Sequence, residues 1–116
     1  MGKNNTLGLE GEQLASDYLK NKGWIIHEMN YRFSRSEIDL IAAKNDLLIF
    51  VEVKTRTNTS FGLPEEFVDE KKAENIHKAA DHYIREIDWK GNIRFDIIAI
   101  IKKRGMEILH IEDAFS

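Results

Sequence analysis

The chain contains no cysteine, which excludes disulfide frameworks, thiolate metal sites and cysteine nucleophiles. Its one proline, Pro64, falls in a polar loop. No apolar run approaches the roughly 18 residues that a membrane-spanning helix requires, and the polar opening MGKNNT has no signal-peptide character. A cytoplasmic protein with no membrane partner is therefore expected. There is no glycine-rich phosphate loop, serine elbow or dinucleotide fingerprint. The histidines suggest no zinc site: His77 and His82 do not share a helical face, and His27 and His110 fall in separate strands. Basic residues are not in excess either. Seventeen Lys and Arg meet 20 Asp and Glu, for a net charge of −3, which counts against a simple nucleic-acid binder. That objection weakens if several acids hold a cation, because a bound ion inverts their local contribution.

At 116 residues, 42% apolar and 32% charged, the sequence describes one soluble globular domain over residues 1–116, able to bury a core without staples. No repeat, linker or low-complexity tract divides it. A first helix is expected after Asn4-Asn5-Thr6, ending near Gly23 as a C′ glycine. Gly11, Leu14, Ala15, Tyr18 and Leu19 form its buried stripe. Trp24 to Phe33 reads as a strand of imperfect alternation. Ser36 to Ala43 and Leu47 to Lys54 read as two more, joined by Lys44-Asn45-Asp46, which is turn chemistry. Thr55 to Pro64 is a polar loop. A long helix follows from about Asp69 to Ile87, with Val68, Ile76, Ala79, Ala80, Tyr83, Ile84 and Ile87 on one side and Lys72 as the sole charge among them. Arg94 to Lys102 is an apolar strand expected at the centre of the sheet, and Glu107 to Ile111 is a short final one. The order α-β-β-β-α-β-β predicts an α/β fold, a mixed sheet flanked by helices.

The hairpin carries the most chemistry. A two-residue turn at Asn45-Asp46 would set Asp39 opposite Glu52 and Glu37 opposite Lys54. Alternation then gathers Glu37, Asp39, Glu52 and Lys54 on one face, flanked by Ile41 and Phe50. Ile38, Leu40, Ala42, Ile49, Val51 and Val53 are left as an apolar core face. A three-residue turn would slip the register and part the two acids. Opposed like charges cost a strand pair roughly 0.2–1 kcal/mol in water, and more where water is partly excluded. A divalent cation removes the conflict, since hard oxygen ligands are what Mg²⁺ prefers. The plainer alternative is that Lys54 screens both acids on a solvated face.

Other residues carry the same double reading. Glu12 is either a partner of the helix dipole or a further carboxylate leaning over the sheet edge. Gly8 and Gly11 beside it would permit close approach. Lys72 either snorkels from its apolar stripe or brings an ammonium to the acids or to a phosphate. Arg32, Arg35 and Arg56 are surface charges singly. With the loop Thr57-Asn58-Thr59-Ser60 they would suit contacts to a phosphate backbone. Asp96 reads as a structural partner of a nearby basic group.

Several blocks are spread along nearly the whole chain: Gly8-x-x-Gly11-Glu12-x-x-Ala15 with Tyr18-Leu19, Glu37 through Ala42, Val51-Glu52-Val53-Lys54-x-Arg56 and Phe61-Gly62-x-Pro64. Lys72, Ala79-Ala80, Tyr83, Arg94-Phe95-Asp96 and His110-Ile111 to Ala114-Phe115 continue the series. Together they resemble the YraN-like family of small bacterial proteins, within the PD-(D/E)xK restriction-endonuclease-like superfamily. The similarity extends more remotely to archaeal Holliday junction resolvases. Ile38 stands where the superfamily has proline and Ser36 where the family usually has glycine, and neither change removes a ligand. The resemblance implies a restriction-endonuclease-like fold in which Asp39 and Glu52, with the Val53 carbonyl, hold Mg²⁺ or Mn²⁺. Lys54 is then the superfamily lysine and Glu12 an additional acid from helix one. The implied function is an endonuclease hydrolysing DNA phosphodiester bonds at branched or other non-duplex structures. Arg32, Arg35, Arg56 and Lys72 would contact the nucleic acid. A homodimer would suit a junction, where two cuts want two sites. The alternative from another class is a non-catalytic nucleic-acid-binding or scaffold protein that keeps the fold.

Overall fold

The computed structural model describes residues 6–57 and 68–116, with side chains from residue 10 onward. Asn58, Thr59, Ser60, Phe61, Gly62 and Pro64, singled out above, lie outside the described residues. The elements are α1 (Thr6–Asn21), β1 (Ile25–Phe33), β2 (Ser36–Lys44), β3 (Leu47–Arg56), α2 (Glu70–Ile87), β4 (Asn92–Lys102) and β5 (Met106–Ile111), in the expected order. All five strands join one sheet, ordered β1-β2-β3-β4-β5. Neighbours pair antiparallel except β3 and β4, which are parallel because α2 forms the crossover between them. The central strand is therefore β3. The apolar β4, expected there, sits one place outward, and its Ile97 to Ile100 are still fully buried.

Local chemistry fixes how the helices meet the sheet. Gly23, at φ 94, lets the chain reverse after α1, with Gly23 and Trp24 N–H groups bonded back to the Lys20 and Leu19 carbonyls at 3.0 Å. Gly11 presses α1 onto β3: a Cβ there would lie 2.1 Å from Thr55 Oγ1. Asp69 caps α2 by accepting the Lys72 N–H at 2.8 Å, which fixes the turn that carries Lys72. Along its length α2 is tied to β1, with His27 Nδ1 2.9 Å from the Tyr83 hydroxyl and Tyr31 donating to Glu86 at 3.3 Å.

Both faces of the sheet are core. Under α1, Leu40, Ala42, Ile49, Val51, Ile98 and Ile100 pack against Ala15 and Leu19. Under α2, Ile38, Ile41, Ala43, Leu48 and Phe50 pack against Ile76, Ala79, Ala80 and Tyr83. Two expectations are corrected here. Ile41 and Phe50, expected beside the acids on a polar face, are wholly buried because α2 covers them. Ile38, expected with Leu40, belongs to the opposite core. The alternation slips between them, at Asp39, and the β1 residue across from it is Asn30, in the left-handed region at φ 56. A residue turned that way interrupts the pleat and passes the side chains on either side of it to different faces.

Candidate active site

The β2–β3 ladder runs from Lys44–Leu47 to Leu40–Val51, the register that a turn at Asn45-Asp46 dictates, with Asn45 left-handed at φ 56. Beyond Leu40 the regular pairing stops. There the Asp39 carboxylate accepts the Val53 N–H at 2.8 Å, so a side chain takes the place of a ladder carbonyl. Asp39 and Glu52 consequently border one cavity of about 210 Å³, whose wall also includes Arg35, Glu37, Lys72 and Asn75.

Charge in this space is poorly balanced. Glu52 is 4% exposed, and its Oε2 receives both Lys54, at 3.2 Å, and Lys72. Burial pushes the Asp39 carboxyl up to about 7, and repulsion from Glu52 and then Glu12 adds to it, while the Val53 N–H and Lys72 pull back only in part. Glu12 is also raised, by burial first and by Glu37 and Glu52, against a hydrogen bond from Asn30. Its Oε1 is buried without a hydrogen-bond partner. Lys54 is lowered by burial and by the neighbouring Lys72 ammonium, more than Glu52 can offset. For Lys72 the balance reverses: burial opposes the charge, but Glu52 outweighs it and holds the ammonium above its ordinary value.

Among the described residues no three His, Asp or Glu side chains gather closely enough to hold an ion by themselves. The donor set nonetheless has the chemistry for a hydrated divalent cation. Mg²⁺ binds through one or two carboxylates and keeps several waters, and Asp39 and Glu52 supply hard oxygens whose mutual repulsion a cation relieves. The Lys72 ammonium at present meets part of that need on Glu52.

The model of an uncharacterised protein family, UPF0102, matches residues 11–100. The chain belongs to this family. A UPF0102 protein of Christiangramia forsetii is 47% identical over 116 residues, covering 99% of this chain and 98% of its own. One of Flavobacterium psychrophilum is 45% identical over the same length and coverage. A third, of Alkaliphilus oremlandii, is 46% identical over 118 residues, covering 97% and 99%. The UPF0102 match spans every candidate residue from Glu12 to Lys72.

Of the four basic residues expected to touch nucleic acid, Arg35 and Lys72 line the cavity. Arg32 lies on the surface, 3.6 Å from Glu37, and Arg56 donates to the Thr55 carbonyl at 2.9 Å. Val53 enters the site through its N–H. Asp96 is indeed a structural partner, held by Arg94 and His110 away from this cavity. Two residues escaped the sequence reading. Asn75 stands one turn beyond Lys72 on α2, a helical spacing that could have revealed it. Asn30 gave no comparable signal, since its role depends on the strand pairing that sets it across from Asp39.

Proposed function

We propose that this chain is a Mg²⁺- or Mn²⁺-dependent endonuclease hydrolysing DNA phosphodiester bonds, with branched or otherwise non-duplex DNA as its substrate. The resemblance to the PD-(D/E)xK superfamily and to archaeal Holliday junction resolvases points the same way. The observation that carries the reading is the meeting of Asp39 and Glu52 at one small cavity, with buried negative charge that the lysines leave partly uncompensated. A divalent cation bound there would polarise a phosphoryl oxygen and acidify a water. Asp39 and Glu52, with the Val53 carbonyl, would hold it, and Glu12 would be the further acid. The hydrogen bond from Val53 N–H to Asp39 orients the carboxylate and holds that peptide against it. Lys54 would orient the attacking water and offset charge gathering on the phosphate oxygens. Its lowered pKa also favours a part in moving the proton. Arg35 and Lys72 would steady the phosphate against the cavity wall.

The direct Lys72–Glu52 ion pair favours a second reading, a non-catalytic nucleic-acid-binding or scaffold protein in which the ammonium stands permanently in place of an ion. Incubating the purified protein with branched, single-stranded and duplex DNA in Mn²⁺, beside Asp39→Asn and Glu52→Gln, separates the two. The nuclease reading expects cleavage that requires metal and disappears in both variants. Intact DNA from all three substrates, with affinity unchanged by either substitution, selects the second.

A further inference from the structure

The outward side of α2 is sorted by charge. Lys71, Asn75, Lys78, His82 and Arg85 recur at alternating spacings of four and three, which stacks them in one narrow stripe. Glu70, Glu74 and Asp81 fall on the adjacent stripe, and Glu74 and Asp81, with Lys78 between them, border a different, apolar groove beside Ile84 and Phe95. Asn75 and His82 take the edge of the stripe nearer β1 and β2, while Lys71 and Lys78 stand on the crest, beside the acids. The β1–β2 edge begins at the cavity, whose wall includes Asn75 and Arg35. Further along, the exposed His82 ring lies flat on Phe33, centroids 4.0 Å apart and planes inclined by 16°. Phe33 is in turn packed against the core under α2. A ring held flat from beneath and open to solvent above is a surface on which another planar ring can stack.

Building on the nuclease reading, we propose that this flank of α2 is the track of a single strand of nucleic acid leading into the cavity. Lys78 and Arg85 meet phosphates, one unpaired base stacks on His82, and the strand passes Asn75 and Arg35 to reach Asp39 and Glu52. From Lys72 to His82 the helix rises about 15 Å, room for a few nucleotides. The net charge of −3 opposes a polyanionic partner less than the bare number implies, because Glu70, Glu74 and Asp81 fall on the stripe beside the track and not within it. Arg85, 3.2 Å from Asp81, and Glu86, held by Tyr31, mark its far end. Stacking on His82 demands a base free of its duplex neighbours, so the track selects unpaired or frayed DNA.

Fluorescence anisotropy with a labelled single-stranded oligonucleotide in EDTA reads the track without cleavage and without metal. His82→Ala is expected to weaken single-strand binding about tenfold, His82→Phe to restore it, and duplex affinity to change less than twofold. Lys78→Glu with Arg85→Glu is expected to weaken binding further and flatten its salt dependence. Single-strand affinity unmoved by His82→Ala, or equal losses on single strand and duplex, overturns the track. Melting curves with and without Mn²⁺ keep the two readings apart. A Mn²⁺-dependent rise in both wild type and His82→Ala, beside unmoved single-strand affinity, defeats the track alone. An intact His82 effect with no Mn²⁺ response leaves the track standing and defeats the metal site.

Discussion

Asp39→Asn is the perturbation whose sign is least intuitive: it is expected to stabilise the metal-free protein. The Asp39 carboxyl rises from 3.8 to about 7 in the fold. A carboxyl raised in the folded state favours folding while protonated. That contribution is complete below the unfolded value near 3.8 and is lost as pH rises through about 7. At pH 8 in EDTA the folded protein therefore holds a buried carboxylate against Glu52 at a cost of up to roughly 4 kcal/mol. Asparagine keeps an oxygen for the Val53 N–H and removes the charge. The weaker hydrogen bond returns about 1 kcal/mol of the gain, leaving a net stabilisation of about 1–3 kcal/mol, or roughly 4–12 °C in melting temperature for a chain of this size. Urea unfolding from pH 5 to 8 reads the difference directly. Wild type should lose stability across this window while Asp39→Asn loses much less. Added Mn²⁺ should reverse the order, since the ion relieves the repulsion only where both carboxylates remain. A variant less stable than wild type at pH 8 in EDTA would refute the reasoning, because the charge would then have to be compensated already.

Asp96→Asn should act in the opposite direction. Asp96 is fully buried, bonded to Arg94 at 2.9 Å, His110 at 2.8 Å and the Asp113 N–H at 3.0 Å. Burial alone would raise its pKa, but these partners hold it below the ordinary carboxylate range. Its stabilisation is present above the unfolded value and lost as pH falls through the folded one. The variant should cost about 3 kcal/mol or more, flatten the acid limb of the stability profile, and speed hydrogen exchange over residues 106–116. Gly11→Ala, with its Cβ 2.1 Å from Thr55 Oγ1, should cost about 1–3 kcal/mol in urea unfolding. Adding Thr55→Ala should recover most of it, and failure to do so would show that α1 is not limited by this contact.

The register of the hairpin was legible because Asn45-Asp46 leaves few ways to turn, and Asn45 takes the left-handed conformation that such a turn needs. Lys72 was legible as the lone charge in the α2 stripe, and the element order followed from periodicity. The slip at Asp39 was not. It comes from Asn30 across the sheet and from a carboxylate standing in for a carbonyl, and neither leaves a mark on local alternation. Burial of Ile41 and Phe50 was missed for a related reason. A strand displays its own two faces, but which helix covers each is a property of the crossover. The basic residues dispersed for want of such constraint: Arg32 and Arg56 found partners close to hand, whereas Arg35 was left at the cavity.

The central claim is that Asp39 and Glu52 share one cation, and calorimetric titration of the purified protein with Mn²⁺ at pH 8 addresses it without reference to any substrate. One saturable site is predicted, abolished by Asp39→Asn and by Glu52→Gln alike, with affinity falling as pH drops below about 7 and Asp39 takes up its proton. No binding in wild type, or a site that survives either substitution unchanged, would contradict it.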